Sequence, residues 1–426
     1  MFLAYFKVLK RRNFFFLWIG QIISQFGDRL TQMALIGLVY KIKPYSSLSL
    51  AKIMSLAVIP VFLVSPLAGV YVDRWNKQKT MYWSDLLRGL FIALIPAFFF
   101  YYHSLIIVYF LIFLSFCVGR FFIPSKMAII PSLVDEKDIF MANSLVSTTA
   151  MVAAMFGFGI GGFIVEKYGI RIAFSIDAVT FFTSALLIFL MRIKERKRFN
   201  PHDLINLGRD AFKAVKHSLV HEIKDGLRYL LESKETKYAT KVFFTLFSFI
   251  GSLYVVFVVF IQNTLSTITM ELGVLAIGAG LGLFLGTLLY GRLGRSIDVK
   301  KVINLTLVSA SFWLVLSVIL LKYYPSELFA FFSVFLLGLI VSPVIVAVNS
   351  LIHKDSDSNL WGRIFSSLEV VIHLAFIIFM FIASFLAEIF RPFTIIVAVG
   401  IIIFLFSLYN LICDYDSSRR KKAASA

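Results

Sequence analysis

Gly69-Val-Tyr-Val-Asp73-Arg74-Trp75-Asn76-Lys77-Gln78-Lys79 is a short basic loop between two long apolar runs. Apolar runs of that length ask for lipid as their solvent, and a fixed charge cluster between two of them narrows the kind of membrane protein. Outward from this loop, apolar windows of about 20 residues recur at 14–40, 48–71, 80–100, 104–123, 140–165, 171–192, 240–262, 272–291, 301–321, 327–349, 361–387 and 392–412. Twelve spans put both chain ends on one side of the membrane.

Composition supports this. Of 426 residues, 59% are hydrophobic and 15% charged, and the mean hydropathy is +0.87. A soluble protein has no interior large enough for that much apolar surface. The net charge of +18 has two readings, a nucleic-acid patch or the positive-inside rule, and its distribution separates them. With the N-terminus inside, 33 of the 42 Lys and Arg lie on the inner side and seven on the outer; Arg29 and Arg88 lie within spans. That bias places both termini in the cytoplasm of a multi-pass protein of a prokaryotic inner membrane and excludes a nucleic-acid partner. The start, Lys10-Arg11-Arg12 before Phe14-Phe15-Phe16, resembles a signal peptide. Its apolar run continues past residue 35 without a small-residue cleavage site, so it reads as a retained first span. Cys117 and Cys413 read as two small apolar residues.

The spans divide six and six, giving a bundle over 1–192, a linker over 193–239, a second bundle over 240–412 and a basic tail over 413–426. The linker region carries 13 basic residues, counting Arg192 and Lys241 at its edges. Leu219, Val220, Ile223, Leu227, Leu230 and Leu231 recur there at helical spacing among Lys216, Lys224, Arg228 and Lys234, the pattern of an amphipathic helix on anionic lipid. A partner-binding helix is the alternative. Pro124-Ser-Lys-Met-Ala128 recurs as Pro343-Val-Ile-Val-Ala347, and the Asp73 loop faces Gly291-Arg292-Leu-Gly-Arg295, at offsets of 219 and 218. Two weak matches at almost one offset point to repeated halves, the usual build of secondary transporters. The expected fold is all-α and integral to the membrane: twelve transmembrane helices in two pseudo-symmetric six-helix bundles.

These residues resemble the major facilitator superfamily. Gly69, Asp73-Arg74 and Asn76-Lys77 match its loop signature. Arg120-Phe-Phe-Ile-Pro124, Gly157-Phe-Gly-Ile-Gly161-Gly162, Phe174-Ser-Ile-Asp177-Ala-Val-Thr-Phe181 and Gly362-Arg363-Ile-Phe365 resemble the drug-efflux branch that holds macrolide exporters and the enterobactin exporter. The resemblance runs from about Arg12 to Ile412. Three places depart from the pattern: Phe158 and Asn76 replace a proline and a glycine, and Gly291 stands where Asp73 has its acid. The resemblance implies that Gly69, Asp73, Arg74 and Lys77 lock neighbouring helices in one state of the transport cycle. An ordinary positive-inside loop accounts for Lys77 and Lys79 but not for Asp73.

Gln21, Gln25, Asp28 and Gln32 fall within about 60° of one face of the first span, with Ser24 at its flank. Asp28 lies about 21 Å into that span at 1.5 Å per residue. An acid there costs about 2.5–3.5 kcal/mol on insertion scales, so it faces a wet cavity or a partner. The cavity reading makes Asp28 a proton carrier; the competing reading is a static pair, for which Arg88 has the reach. Asp85 and Arg88, three apart, read as a structural pair, and Asp177 as a packing or hydrogen-bonding residue. Arg120 either touches substrate or braces the inner gate. Glu369 and His373, four apart on the eleventh span, share a face and either carry protons or form an intrahelical pair. Gly157, Gly161 and Gly162 allow close helix packing or a hinge. Tyr254 and Phe257 are apolar-pocket candidates.

No phosphate loop, metal-ligand spacing or nucleophile constellation appears, so the sequence excludes an enzyme and requires no cofactor. The leading expectation is a monomeric, proton-coupled exporter of amphipathic or hydrophobic small molecules, with membrane lipid as surroundings. An exporter or flippase of siderophore or lysolipid-like substrates is second. A sensor or scaffold that moves nothing is third.

Overall fold

The computed structural model describes residues 2–102, 105–193, 234–293, 299–355 and 361–425. All regular structure among them is helical. In chain order the α-helices are α1 (Phe2–Leu9), α2 (Arg12–Ile42), α3 (Ser47–Leu63), α4 (Ser65–Arg74), α5 (Lys77–Tyr102), α6 (Leu105–Leu133), α7 (Ile139–Tyr168) and α8 (Ile170–Phe189). After the linker come α9 (Lys234–Leu265), α10 (Met270–Leu293), α11 (Val299–Tyr323), α12 (Glu327–Asp355), α13 (Trp361–Phe390) and α14 (Pro392–Ser425). α8, the shortest of the helices long and apolar enough to cross a membrane, has 20 residues and is about 30 Å long, the thickness of a bilayer's hydrocarbon.

Ten described helices are long and apolar enough to cross a membrane. The two other expected spans fall short for identifiable reasons. α2 has the length, 31 residues, but Gln21, Gln25, Asp28, Arg29 and Gln32 lower its mean hydropathy. The expected span at 48–71 is broken at Val64 into α3 and α4. Pro66 has no backbone N–H to give to the preceding turn, so the helix cannot run through unchanged. Two other prolines are absorbed: Pro124 and Pro343, the repeat pair, both lie inside helices.

The chain divides into two compact units, Met1–Ile42 with Lys52–Val220, and Lys43–Ala51 with His221–Ala426. In the first, α2 packs on α7 and α8, while α5 packs on α6 and α8. Phe14, Leu17, Met81, Ile130 and Ile188 form a fully buried core at one end. α1 is tied down by charge: Arg11 pairs with Asp135, and Lys7 lies 3.6 Å from Asp138. In the second unit α10 packs on α12, α9 on α13, and α11 on both α12 and α14. A Cβ at Gly282 would stand 2.0 Å from the Phe335 carbonyl oxygen, so only glycine allows the α10–α12 approach. The segment Lys43–Ala51 joins this unit through Glu388. Its carboxylate accepts from Ser46 Oγ at 2.7 Å and from the Leu48 N–H at 2.9 Å, capping the free donors at the start of α3.

The proposed amphipathic helix with Leu219 and Leu227 lies outside the described residues, as do Gly294 and Arg295 of the second loop copy. The side chains of Asp73, Gly362 and Arg363 and those of the tail from Cys413 onward are also outside what is described.

Candidate functional site

The first unit holds a cavity of about 300 Å³ between α2, α5 and α6. From α2 it is lined by Ser24, Gln25, Asp28, Arg29 and Gln32; from α5 by Arg88; from α6 by Phe116, Arg120, Ile123 and Lys126, among others. The polar stripe on α2 therefore forms one wall. Gln21 is the exception to the expected lining. It is fully buried behind the wall, where its amide donates to the Val146 carbonyl at 3.2 Å and its Oε1 accepts from Lys126 Nζ at 3.0 Å.

Asp28 is paired with Arg88 across the α2–α5 boundary. The Asp28 side chain keeps 27% exposure, so the carboxylate sits at the cavity surface while the guanidinium, at 8%, is held behind it. Arg88 is fixed from three other sides. Its Nη1 lies 3.8 Å from Asp85 Oδ1. Its guanidinium carbon lies 4.1 Å from the centre of the Phe181 ring, a cation–π contact. On the fourth side Gly119 leaves it room, since a Cβ there would be 3.1 Å from Nε. Asp85 is fully buried and accepts the Ser184 hydroxyl at 2.6 Å. Arg88 thus bridges two carboxylates, one wet and one dry. In hydrocarbon that arrangement compensates charges that would otherwise be costly.

Asp177 is fully buried against α2. It accepts the Thr31 hydroxyl, and the Thr180 hydroxyl at 3.1 Å. Gly27 makes this approach possible: a Cβ there would stand 2.0 Å from Thr180 Oγ1 and 2.1 Å from Asp177 Oδ1. Neither Gly27 nor Thr31 stood out in the sequence, although both lie within four residues of Asp28.

Two cations belong to the wall rather than to a loop. The hydropathy window closed the fourth span at 123, and the charge count placed Arg120, at its end, and Lys126, beyond it, on the inner side. α6 instead continues to Leu133 through Pro124 and Pro131. Lys126 is 7% exposed within the helix bundle, and Arg120 donates to the Ala57 carbonyl at 3.3 Å. Arg29 leans the other way, 3.2 Å from Gln32 Oε1 and 5.2 Å from the centre of the Phe158 ring.

A family model described as transmembrane secretion effector, one of the major facilitator families, matches residues 4–352. The chain belongs to the major facilitator superfamily. It is therefore a multi-pass transporter, not an enzyme. It is 27% identical over 368 residues to an uncharacterised MFS-type transporter, YkuC, of Bacillus subtilis, covering 84% of this chain and 81% of that one. It is 24% identical to the multi-drug resistance efflux pump PmrA of Streptococcus pneumoniae, with 84% of each chain covered. It is also 31% identical to a putative bacilysin exporter of Bacillus subtilis, over 51% of this chain and 52% of that one. Among solved structures, a bacterial homologue of the iron transporter ferroportin has the same fold, with a TM-score of 0.72 at 13% identity, over 94% of this chain and 98% of the other.

The major facilitator loop motif sits at the α4–α5 junction. Asn76, which replaces a glycine of the pattern, is an N-cap: its Oδ1 accepts the Lys79 N–H at 2.7 Å. Asparagine and glycine both serve that position, so the departure keeps the local fold. Lys77 donates to the Trp75 carbonyl at 3.1 Å, and Trp75 stacks on Phe121 of α6 at 5.8 Å. Gln78 donates to the Ile188 and Met191 carbonyls at 2.8 and 2.7 Å, closing the end of α8. Gly69 and Arg74 are exposed. In the glycine motif of α7, a Cβ at Gly157 would reach 2.9 Å from Arg29 Cβ, and one at Gly161 would reach 3.2 Å from Leu30 Cα. These two glycines set α7 close to α2, and Gly162 is buried.

Two expectations concern the second unit. Glu369 is exposed, and His373 Nδ1 lies 2.8 Å from the Glu369 backbone carbonyl, to which it donates. A ring within reach of that carbonyl at i−4 takes the bond, and the carboxylate turns outward. Phe257 lines a cavity of about 10 Å³, room for about one water molecule, and Tyr254 packs on Phe376 at 5.3 Å.

Proposed function

We propose that this transporter is a proton-coupled exporter of amphipathic small molecules, working by alternating access. The observation that carries the reading is the Asp28–Arg88 pair in the wall of a polar cavity. A proton delivered from the cavity to Asp28 neutralises the carboxylate and ends its pairing with Arg88. The guanidinium then has a second carboxyl group at hand, that of Asp85, 3.8 Å away on its own helix. The pair links α2 to α5, so its loss unfastens those helices from one another. This gives a proton a mechanical consequence, which is what coupling requires.

The exporter direction draws on the efflux-pump and putative exporter relatives. Both termini lie in the cytoplasm and the protein sits as a monomer in a prokaryotic inner membrane. Moving Arg120 and Lys126 from the inner side into a span still leaves a strong excess of Lys and Arg there. The chain works as an N-terminal bundle over 1–192, a linker over 193–239, a C-terminal bundle over 240–412 and a tail. The Gly69–Lys77 motif braces α4 and α5 against α6 and α8 in one state of the cycle, through Trp75 and Gln78. Proton carriage falls first to Asp28, in the cavity wall, with Glu369 and His373 as the candidates of the second unit.

The test is reconstitution in vesicles containing a pH-sensitive dye, screened with macrolides, dyes, siderophores and lysolipids. The expected result is substrate-induced proton movement for at least one class. Substrate movement that is indifferent to an imposed proton gradient sinks the coupling.

A further inference from the structure

The cavity has an asymmetry that proton coupling does not use. Four cations line it, Arg29, Arg88, Arg120 and Lys126, against one carboxylate, Asp28. The nearby acids are engaged elsewhere. Asp28 and Asp85 meet Arg88, and Asp177 takes the hydroxyls of Thr31 and Thr180. Among the described residues no carboxylate oxygen lies within 4.0 Å of Lys126 Nζ. The ammonium is nine-tenths buried and its hydrogen bond goes to a neutral group, the Gln21 amide oxygen, at 3.0 Å. A lysine of that burial is ordinarily matched by an acid. Gln21 holds the ammonium in place, its own amide anchored on the Val146 carbonyl at 3.2 Å, while Asp85 and Asp28 act on Lys126 only from beyond ion-pair distance. Gln21 lies seven residues before Asp28, about 10 Å along α2 at 1.5 Å per residue. The Lys126–Gln21 hydrogen bond is therefore made at a different level of α2 from the Asp28–Arg88 pair.

We infer that Lys126, positioned by Gln21, is an anion subsite, and that the exported molecules are amphipathic acids carrying a carboxylate or similar anionic group. This deepens the exporter reading and rests on it. Arg29 adds to the positive potential of the same cavity; among the described residues no acid lies within 4.0 Å of it, and it contacts Gln32 and Phe158. Lys126 and Asp28 are coupled through space but are not ion-paired, so a bound acid and the coupling proton take different groups.

The experiment uses the full chain in phosphatidylcholine vesicles and three fluorescent probes on one scaffold: N-dansyl-leucine, its methyl ester, and its amide with ethylenediamine, which is cationic. Wild type is expected to move the acid at least about tenfold faster than the ester at equal concentration, equivalent to about 1.4 kcal/mol. Lys126→Gln brings the acid-to-ester ratio to about one, and Lys126→Arg keeps it high. Gln21→Glu is the decisive variant, since it places a carboxylate beside an intact Lys126 and should abolish the acid preference. A Gln21→Glu protein that still prefers the acid overturns the inference. Movement of the ester or the cation in preference to the acid by wild type also overturns it, while leaving an exporter. Movement of none of the three removes the exporter reading and the inference with it. Loss of the acid preference when phosphatidylglycerol is added assigns Lys126 to a lipid headgroup and overturns the substrate assignment.

Discussion

Gly27→Ala is a one-methyl change whose cost can be worked from the contacts around it. The new Cβ would stand 2.0 Å from Thr180 Oγ1 and 2.1 Å from Asp177 Oδ1, where ordinary contact begins at 3.4 Å. Relief requires a separation of about 1.4 Å, the difference between 3.4 and 2.0 Å, by rotating Thr180 or by parting α2 from α8. Overpacking of this kind costs about 1–3 kcal/mol. Either escape also disturbs the hydroxyls that satisfy a fully buried Asp177, at about 1–3 kcal/mol for a polar group left short. The sum is about 2–6 kcal/mol, or a fall in Tm of at least about 4 °C at roughly 2 °C per kcal/mol for a chain of several hundred residues. The assay is the fraction remaining monodisperse by size exclusion after heating in detergent. Gly69→Ala is the control, because a Cβ there meets nothing within 4 Å, and it should be neutral or slightly stabilising. If Gly27→Ala melts with Gly69→Ala, the tight α2–α8 junction is wrong.

Arg88→Ala should be more damaging than Asp28→Ala in the same melting assay, because it strands the fully buried Asp85 as well as Asp28; removing one partner of a buried pair costs about 3–5 kcal/mol. Equal melting temperatures would contradict the bridging role. Asn76→Ala should cost about 1 kcal/mol by loss of the α5 N-cap, and Asn76→Gly a few tenths, both read as shifts in Tm. Gln78→Ala frees two carbonyls at the end of α8; it should slow transport more than it lowers stability if the loop braces one state of the cycle, and an unchanged rate would confine the loop to a structural role.

Much of the architecture was legible because lipid imposes a simple rule: each span must be apolar over some 20 residues. Where a helix broke that rule the windows still found its place, as with α2, whose glutamines and Asp28 repeat at helical spacing. The ends were harder to see. The fourth window closed at 123, just before Pro124, yet α6 runs on through that proline, since neighbouring helices can satisfy what a proline leaves free. The misplaced end hid Lys126, which counted as an inner-side charge and is a buried cation of the cavity. The Asp28–Arg88 contact was within reach of the sequence, because only a few charges lie in spans. Gly27 and Thr31 were not, since their importance comes from Asp177 on another helix, 146 residues from Thr31. Glu369 and His373 had the right spacing to pair, but spacing does not choose between a carboxylate and a backbone carbonyl as acceptor.

The most direct test of the coupling claim compares wild type with Asp28→Asn in vesicles of one composition, using one transported substrate. Asparagine keeps the shape and can still accept a hydrogen bond from Arg88, but it cannot bind and release a proton. The account predicts that Asp28→Asn abolishes substrate accumulation driven by a proton gradient and the accompanying dye signal, while substrate exchange at equal pH continues. Gradient-driven accumulation at the wild-type rate in Asp28→Asn would contradict it.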